Sequence, residues 1–185
     1  MKYRLSIATA LLSCMLHTSV LADQSNPALD ALFLDLQKAP TPSSAANTAS
    51  EIWDIWTNHE SNEDINRLMQ EGLSAMRFGD LRLADRLFSD VIALDPNFAE
   101  GWNKRATIRF QLGMFERSRA DIAETLRLED RHFGALAGLG LVELHLSNPE
   151  AALRAYQAAL ALYPQMQDVL PIIKALEEQV LGQPL

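Results

Sequence analysis

The chain has a single cysteine, Cys14, in 185 residues. Without a second one there is no intrachain disulfide, no dithiol chemistry and no C-x-x-C zinc spacing. Basic residues are also scarce: 16 Lys and Arg stand against 24 Asp and Glu, a formal charge of −8. A surface of that sign argues against nucleic acid or anionic membranes as partners, because both attract cationic proteins. The patterns that carry chemistry are missing too. There is no nucleophile elbow, no paired-histidine zinc motif and no glycine-rich phosphate loop. The carboxylates fall where solvated helix faces are expected. His132 and His145 have no second cluster of ligands in sequence, so both read as ordinary polar residues with no metal. The sequence predicts neither an enzyme nor a cofactor.

Long apolar runs are nearly absent as well. The one present is Leu5 to Leu16, preceded by Lys2 and Arg4 and followed by Val20-Leu21-Ala22. It is too short to cross a bilayer, and small residues at Val20 and Ala22 suit a signal peptidase. A secretory leader cleaved after Ala22 is therefore expected, with export to the periplasm. The alternative is that Leu11-Leu12-Ser13-Cys14 is a lipobox, leaving a protein anchored through Cys14. Cleavage after Ala22 removes Lys2 and Arg4 and leaves 14 basic against 24 acidic residues, a charge of −10.

What the chain has is a repeat. Leu68, Trp102 and Leu136 are spaced 34 apart, and so are Gly72, Ala106 and Gly140. The same step relates Ala84, Ser118 and Ala152, then Phe88, Ile122 and Tyr156, then Leu94, Leu128 and Leu162, and finally Pro96, Asp130 and Pro164. Gly79, Gly113 and Ser147 mark the middle of each unit. A large apolar residue with a small one four later puts a close-packing stripe on the first helix of each unit. The mid-unit glycines suit a tight turn with a left-handed backbone. Pro96 and Pro164 end one unit and open the next. In period and residue types this resembles the tetratricopeptide repeat (TPR) family, in which paired helices stack into a solenoid. Ser118 and Asp130 depart from the Ala and Pro usual there.

The flanks read as helical. Asn26 with Pro27 opens a helix whose Leu29, Leu32, Phe33 and Leu36 form one stripe. Ala39 to Ser44 reads as a linker, and a second helix runs to about Asn58 with Ile52, Trp53 and Trp56 on one side. The two tryptophans either stack a ligand or bury an end of the solenoid. Ser61 or Asn62 caps the first repeat helix, Asn148-Pro149 opens the last helix of unit three, and Asp168 caps a final helix containing Pro171. Val169, Ile172, Ile173, Leu176 and Val180 would cover the open face of unit three. The whole is an all-α solenoid: leader 1–22, N-terminal capping helices and linker 23–60, three TPR units (65–98, 99–132, 133–166) within 61–166, and a C-terminal capping helix in 167–185.

The TPR resemblance implies that the first helix of each unit lines a concave groove that takes peptides. The positions implied are Asn66, Met69, Gln70, Leu73 and Arg77 in unit one. In unit two they are Glu100, Asn103, Lys104, Thr107 and Gln111, and in unit three Gly134, Ala137, Gly138, Leu141 and His145. Family members that clamp a chaperone's C-terminal carboxylate do so with Lys, Asn and Arg. Met69, Leu73, Lys104, Gly134 and Gly138 stand at the matching positions, so no such clamp is expected. Gly134 and Gly138 either admit a ligand or pack the stack. Arg105 and Arg109 lie on the inter-helix face, either paired with Asp121 and Glu124 or free to take an anion.

The function expected is non-enzymatic: a periplasmic adaptor holding a segment of an envelope protein in this groove. Two other classes fit the same residues. One is a chaperone-like holder of exported clients, in envelope or cytochrome maturation. The other is a scaffold that self-associates through its end helices as a homo-oligomer.

Overall fold

A computed structural model describes residue 24 and residues 26–182. The expected leader, its cut after Ala22 and Cys14 lie outside the described residues. These contain nine α-helices and no strand. The helices are α1 Ala28–Lys38, α2 Pro42–Thr57, α3 Glu63–Arg77, α4 Leu81–Leu94, α5 Ala99–Gln111, α6 Phe115–Leu128, α7 Phe133–His145, α8 Pro149–Leu162 and α9 Leu170–Leu181. A 3-10 turn at Gln167–Val169 precedes α9. Helices α3/α4, α5/α6 and α7/α8 form the three units, and α4 on α5 and α6 on α7 join them.

The small residues work as the repeat implies. A Cβ at Gly72 would stand 2.6 Å from the Phe88 ring, and one at Gly140 would stand 2.6 Å from the Tyr156 ring. Each glycine thus lets the second helix of its unit press a ring against the first. In unit two the pair is Ala106 and Ile122, both buried. Ser118 fits there because its Oγ donates to the Ala106 carbonyl at 2.8 Å. The mid-unit turns are left-handed, with φ of 79° at Gly79, 75° at Gly113 and 61° at Ser147.

The helix ends match expectation in part. Asn62 caps α3, its Oδ1 accepting the Asp64 and Ile65 N–H groups. Asn26 Oδ1 accepts from Ala28 N–H at 2.9 Å. The expected linker shortens, because α2 begins at Pro42. Thr41 and Ser44 cap each other reciprocally, so Ser44 supplies the side chain that a Glu or Gln usually brings. Asn148 does not cap α8: its Nδ2 donates to Glu143 Oε2 at 2.8 Å, and only the first-position Pro149 marks that start. Asp168 does not cap α9 either, since it sits inside the 3-10 turn. The α9 stripe nevertheless closes unit three, with Val169, Ile173 and Leu176 buried against Ala152, Leu153 and Tyr156.

The N-terminal pair covers apolar surface, and its location positions everything that follows. Leu29, Phe33, Leu36, Ile52 and Trp56 form one core cluster with Phe133 at the start of α7, and Tyr163 and Met166 pack beside it. Helix α2 touches α5, and α1 touches α8. Helix α2 lies on the inner helices α5 and α7, while α1 reaches α8, so the pair is not stacked on the free edge of α3 and α4. That edge keeps Phe78 83 % exposed. Arg131 ties the arrangement down, donating to Asp30 Oδ1 at 2.7 Å with its guanidinium 4.6 Å above the Phe33 ring.

Candidate interaction groove

The inner face divides into a covered half and an open half. In the covered half, Trp53 lies so close to α7 that a Cβ at Gly134 would stand 2.6 Å from its ring. Lys104 Nζ approaches the same ring at 4.9 Å. Trp56 stacks on His132 with ring centroids 4.1 Å apart. Beneath these rings Glu100 is 1 % exposed and gathers three partners. Lys104 Nζ lies 2.8 Å from its Oε1, while His132 Nε2 and Asn103 Nδ2 each reach Oε2 at 2.9 Å. Ala135 N–H donates to His132 Nδ1 at 3.1 Å, which leaves the ring proton on Nε2, facing the carboxylate. Burial works to raise the Glu100 pKa, but Lys104 and His132 outweigh it and hold the carboxyl below the usual range. His132, read from sequence as an ordinary polar residue, is the fully buried pivot of this network.

Unit one contributes less open surface than its sequence suggests. Met69 is fully buried with Ile65 and Phe88, and Leu73 packs against the same cluster. Asn66 accepts the His59 N–H at 2.7 Å and donates to the His59 carbonyl at 2.8 Å, which pins the loop between α2 and α3. His59 Nε2 also pairs with Asp95 at 3.0 Å. Gln70 and Arg77 remain exposed. In unit three, Ala137 packs towards the α8–α9 cluster.

The open half runs along the C-terminal parts of α5 and α7. Thr107 is half-buried, while Gln111, Leu141 and His145 are exposed. His145 stacks on Phe115 with centroids 4.6 Å apart and meets Phe110 edge-on at 5.0 Å. Between α5, α6 and α7 lies a cavity of about 100 Å³. Its walls include Asn103, Thr107, Phe110, Gly138, Leu141 and Val142. Phe110 and Val142 line it without having been singled out in the sequence, and Ile122, noted there only as a repeat position, lines it too. The available signal was the one-turn spacing of Phe110 from Ala106 and of Val142 from Gly138 along the inner helices.

Arg105 and Arg109 are structural. Arg105 grips Asp121 bidentately at 2.8 and 2.9 Å, and Arg109 reaches the same carboxylate at 2.8 Å and Asp85 at 3.2 Å. Glu124 pairs with Arg127 instead. Among the described residues no group of three or more His, Cys, Asp or Glu is placed to hold a metal ion. No helix among them is long and apolar enough to cross a membrane.

The tetratricopeptide repeat family model matches residues 69–124 and 103–166, more than half of the chain between them. The chain belongs to the tetratricopeptide repeat family. A TPR repeat-containing protein of Rhizobium etli is 34 % identical over 154 residues, spanning 83 % of this chain and 75 % of that protein. Among solved structures, the first TPR of Spaghetti (RPAP3), bound to the HSP90 peptide SRMEEVD, aligns with TM-score 0.62. It is 20 % identical and covers 65 % of this chain and 95 % of that one. The TPR2B domain of yeast Sti1, in a pHsp70 complex, gives 0.58 at 18 % identity over 66 % and 100 % of the two chains. MamA gives 0.60 at 17 % identity over 75 % and 78 %. At these identities the structures establish a shared TPR solenoid.

Proposed function

We propose that this TPR protein is a non-enzymatic adaptor that holds a segment of a partner protein on the open half of its inner face. The observation that carries the reading is the uncovered stretch of α5 and α7 with its apolar cavity, bordered by Thr107, Gln111, Leu141 and His145. The same solenoid takes an HSP90 peptide in the RPAP3 domain and forms a pHsp70 complex in the Sti1 domain, which supports a peptide-binding role here. The segment between Lys2 and Ala22 supports an exported protein working in the periplasm, so the partner is an envelope protein. A second reading, self-association as a scaffold, is favoured by the exposed Phe78 beside Leu83 and Leu87 on the edge of unit one.

The test is capture of tagged protein, expressed in its own host with its N-terminal segment intact, beside the Leu141→Glu/Thr107→Glu variant. Met69→Glu is unsuitable, because a charge there enters the core. One dominant envelope partner, lost in the variant, is the expected result. A smear of unfolded clients favours a holder, and recovery of the protein alone favours the scaffold. The mass of the captured chain reads the export step: an N-terminus at Asp23 marks leader cleavage, and a lipid-modified Cys14 marks an anchor.

A further inference from the structure

Every glycine but one has a physical reason to be glycine. Gly79, Gly113 and Gly182 have positive φ. At Gly72, Gly101, Gly134 and Gly140 a Cβ would come within 2.8 Å of a neighbouring side chain. Gly138 has neither reason. It lies in the middle of α7, and a Cβ there would meet only Ile122 Cδ1, at an ordinary 3.8 Å. A glycine in a helix interior weakens the helix relative to alanine, and nothing in the packing of the described residues asks for it. What the missing side chain preserves is the cavity of about 100 Å³ against which Gly138 lies.

We infer that this cavity is a subsite for one branched aliphatic side chain, valine- to leucine-sized, of an extended partner segment. The inference deepens the adaptor reading and rests on it. Size sets the preference: a dry apolar cavity of roughly 150 Å³ holds benzene, so this smaller one suits an aliphatic side chain better than an aromatic ring. Charge sets the chemistry. Among the described residues no ionised group lines the cavity, and Lys104 and Glu100, next to Asn103 of its wall, are already paired at 2.8 Å. A lysine or glutamate of the partner would lose its hydration there without gaining a counter-ion. One polar group remains available. Asn103 is 6 % exposed and donates from Nδ2 to Glu100, while its Oδ1 accepts from no group among the described residues. That oxygen on the cavity wall is placed to accept a backbone N–H of the segment whose side chain enters. Trp53, seated on Gly134 one turn earlier along α7, closes the adjoining stretch, so the segment enters from the Leu141 and His145 end.

The test titrates the ¹⁵N-labelled full chain with N-acetyl-leucinamide, N-acetyl-phenylalaninamide and N-acetyl-lysinamide. Saturable amide shifts at Gly138, Leu141 and Thr107 are expected with the leucine probe, with at least about tenfold weaker binding of the other two. Gly138→Val, which fills the space from within, should abolish the response. Gly138→Ala, whose melting temperature should be equal or higher, should weaken it while reporting an intact fold. Equal affinity for leucine and phenylalanine probes, shifts confined to the Phe78 edge, or an undiminished response in Gly138→Val would each overturn the subsite. The adaptor reading fails separately: partner capture indifferent to Leu141→Glu/Thr107→Glu sinks it even where the leucine probe binds. Conversely, capture lost in that variant with no leucine binding at Gly138 keeps the adaptor and removes the subsite.

Discussion

The two halves of the inner face share helices and differ in what fills them. Around Gly134 the chain supplies its own occupant: Trp53 takes the space above the glycine, Trp56 covers His132, and a buried carboxylate holds the polar groups beneath. One turn later, around Gly138, none of the described residues enters. Two glycines four residues apart on one helix thus do opposite things. Glycine content alone does not mark a binding surface; what approaches each Cα decides it. The covered half is a core that rigidifies the groove, and the open half is the surface it leaves for others.

The largest effect that breaks this contrast falls on Glu100. Glu100→Ala leaves the Lys104 ammonium, the His132 Nε2–H and the Asn103 amide without their shared acceptor in the covered half. Removing one partner of a buried ion pair costs about 3–5 kcal/mol, so urea unfolding should lose stability on that scale. The pH dependence has a definite sign. Because the folded carboxyl lies below the ordinary glutamate range, its contribution is present above a pH of about 4.3. It is lost as pH falls through the folded value. Glu100→Gln carries no such titration. The stability gap between wild type and Glu100→Gln should shrink as pH falls below about 4. A gap that stays constant through the acid limb would show that Glu100 is not the group at work.

The second effect pits the two glycines against each other. A Cβ at position 134 must displace the Trp53 ring, and overpacking of this kind costs about 1–3 kcal/mol. Gly134→Ala should therefore lower the unfolding free energy by that amount and alter the tryptophan near-ultraviolet signal. If Gly134→Ala is as stable as wild type with an unchanged spectrum, α2 does not sit on α7 as described.

Much of the framework was legible before any coordinates. The 34-residue step gave the three units and the small residues that let their paired helices approach closely, because these depend on contacts within one unit. The ion pairing of Arg105 with Asp121 was legible for the same reason. The destination of the N-terminal pair was not. Its amphipathic stripes announce a buried face but not which face receives it, since the partners Phe133 and Tyr163 lie about a hundred residues away in sequence. That docking buried His132 and split the two glycines into different roles. Met69 went into the unit-one core with Ile65 and Phe88, because its helix face is shared by the groove and the core. The missed caps at Asn148 and Asp168 have a local cause: Glu143 takes the Asn148 amide, and a 3-10 turn takes up Asp168.

The smallest effect is the counterpart at position 138. Alanine there meets only Ile122, at van der Waals distance, so the folded state has room for it, and alanine recovers about 0.5–1 kcal/mol of helix stability relative to glycine. Gly138→Ala should melt at an equal or slightly higher temperature than wild type, measured by circular dichroism. The same one-methyl change would then destabilise at 134 and not at 138. Matching losses at the two positions would mean that both glycines are packing residues, and the inner face would lose its distinction between a half filled by the chain and a half left for a partner.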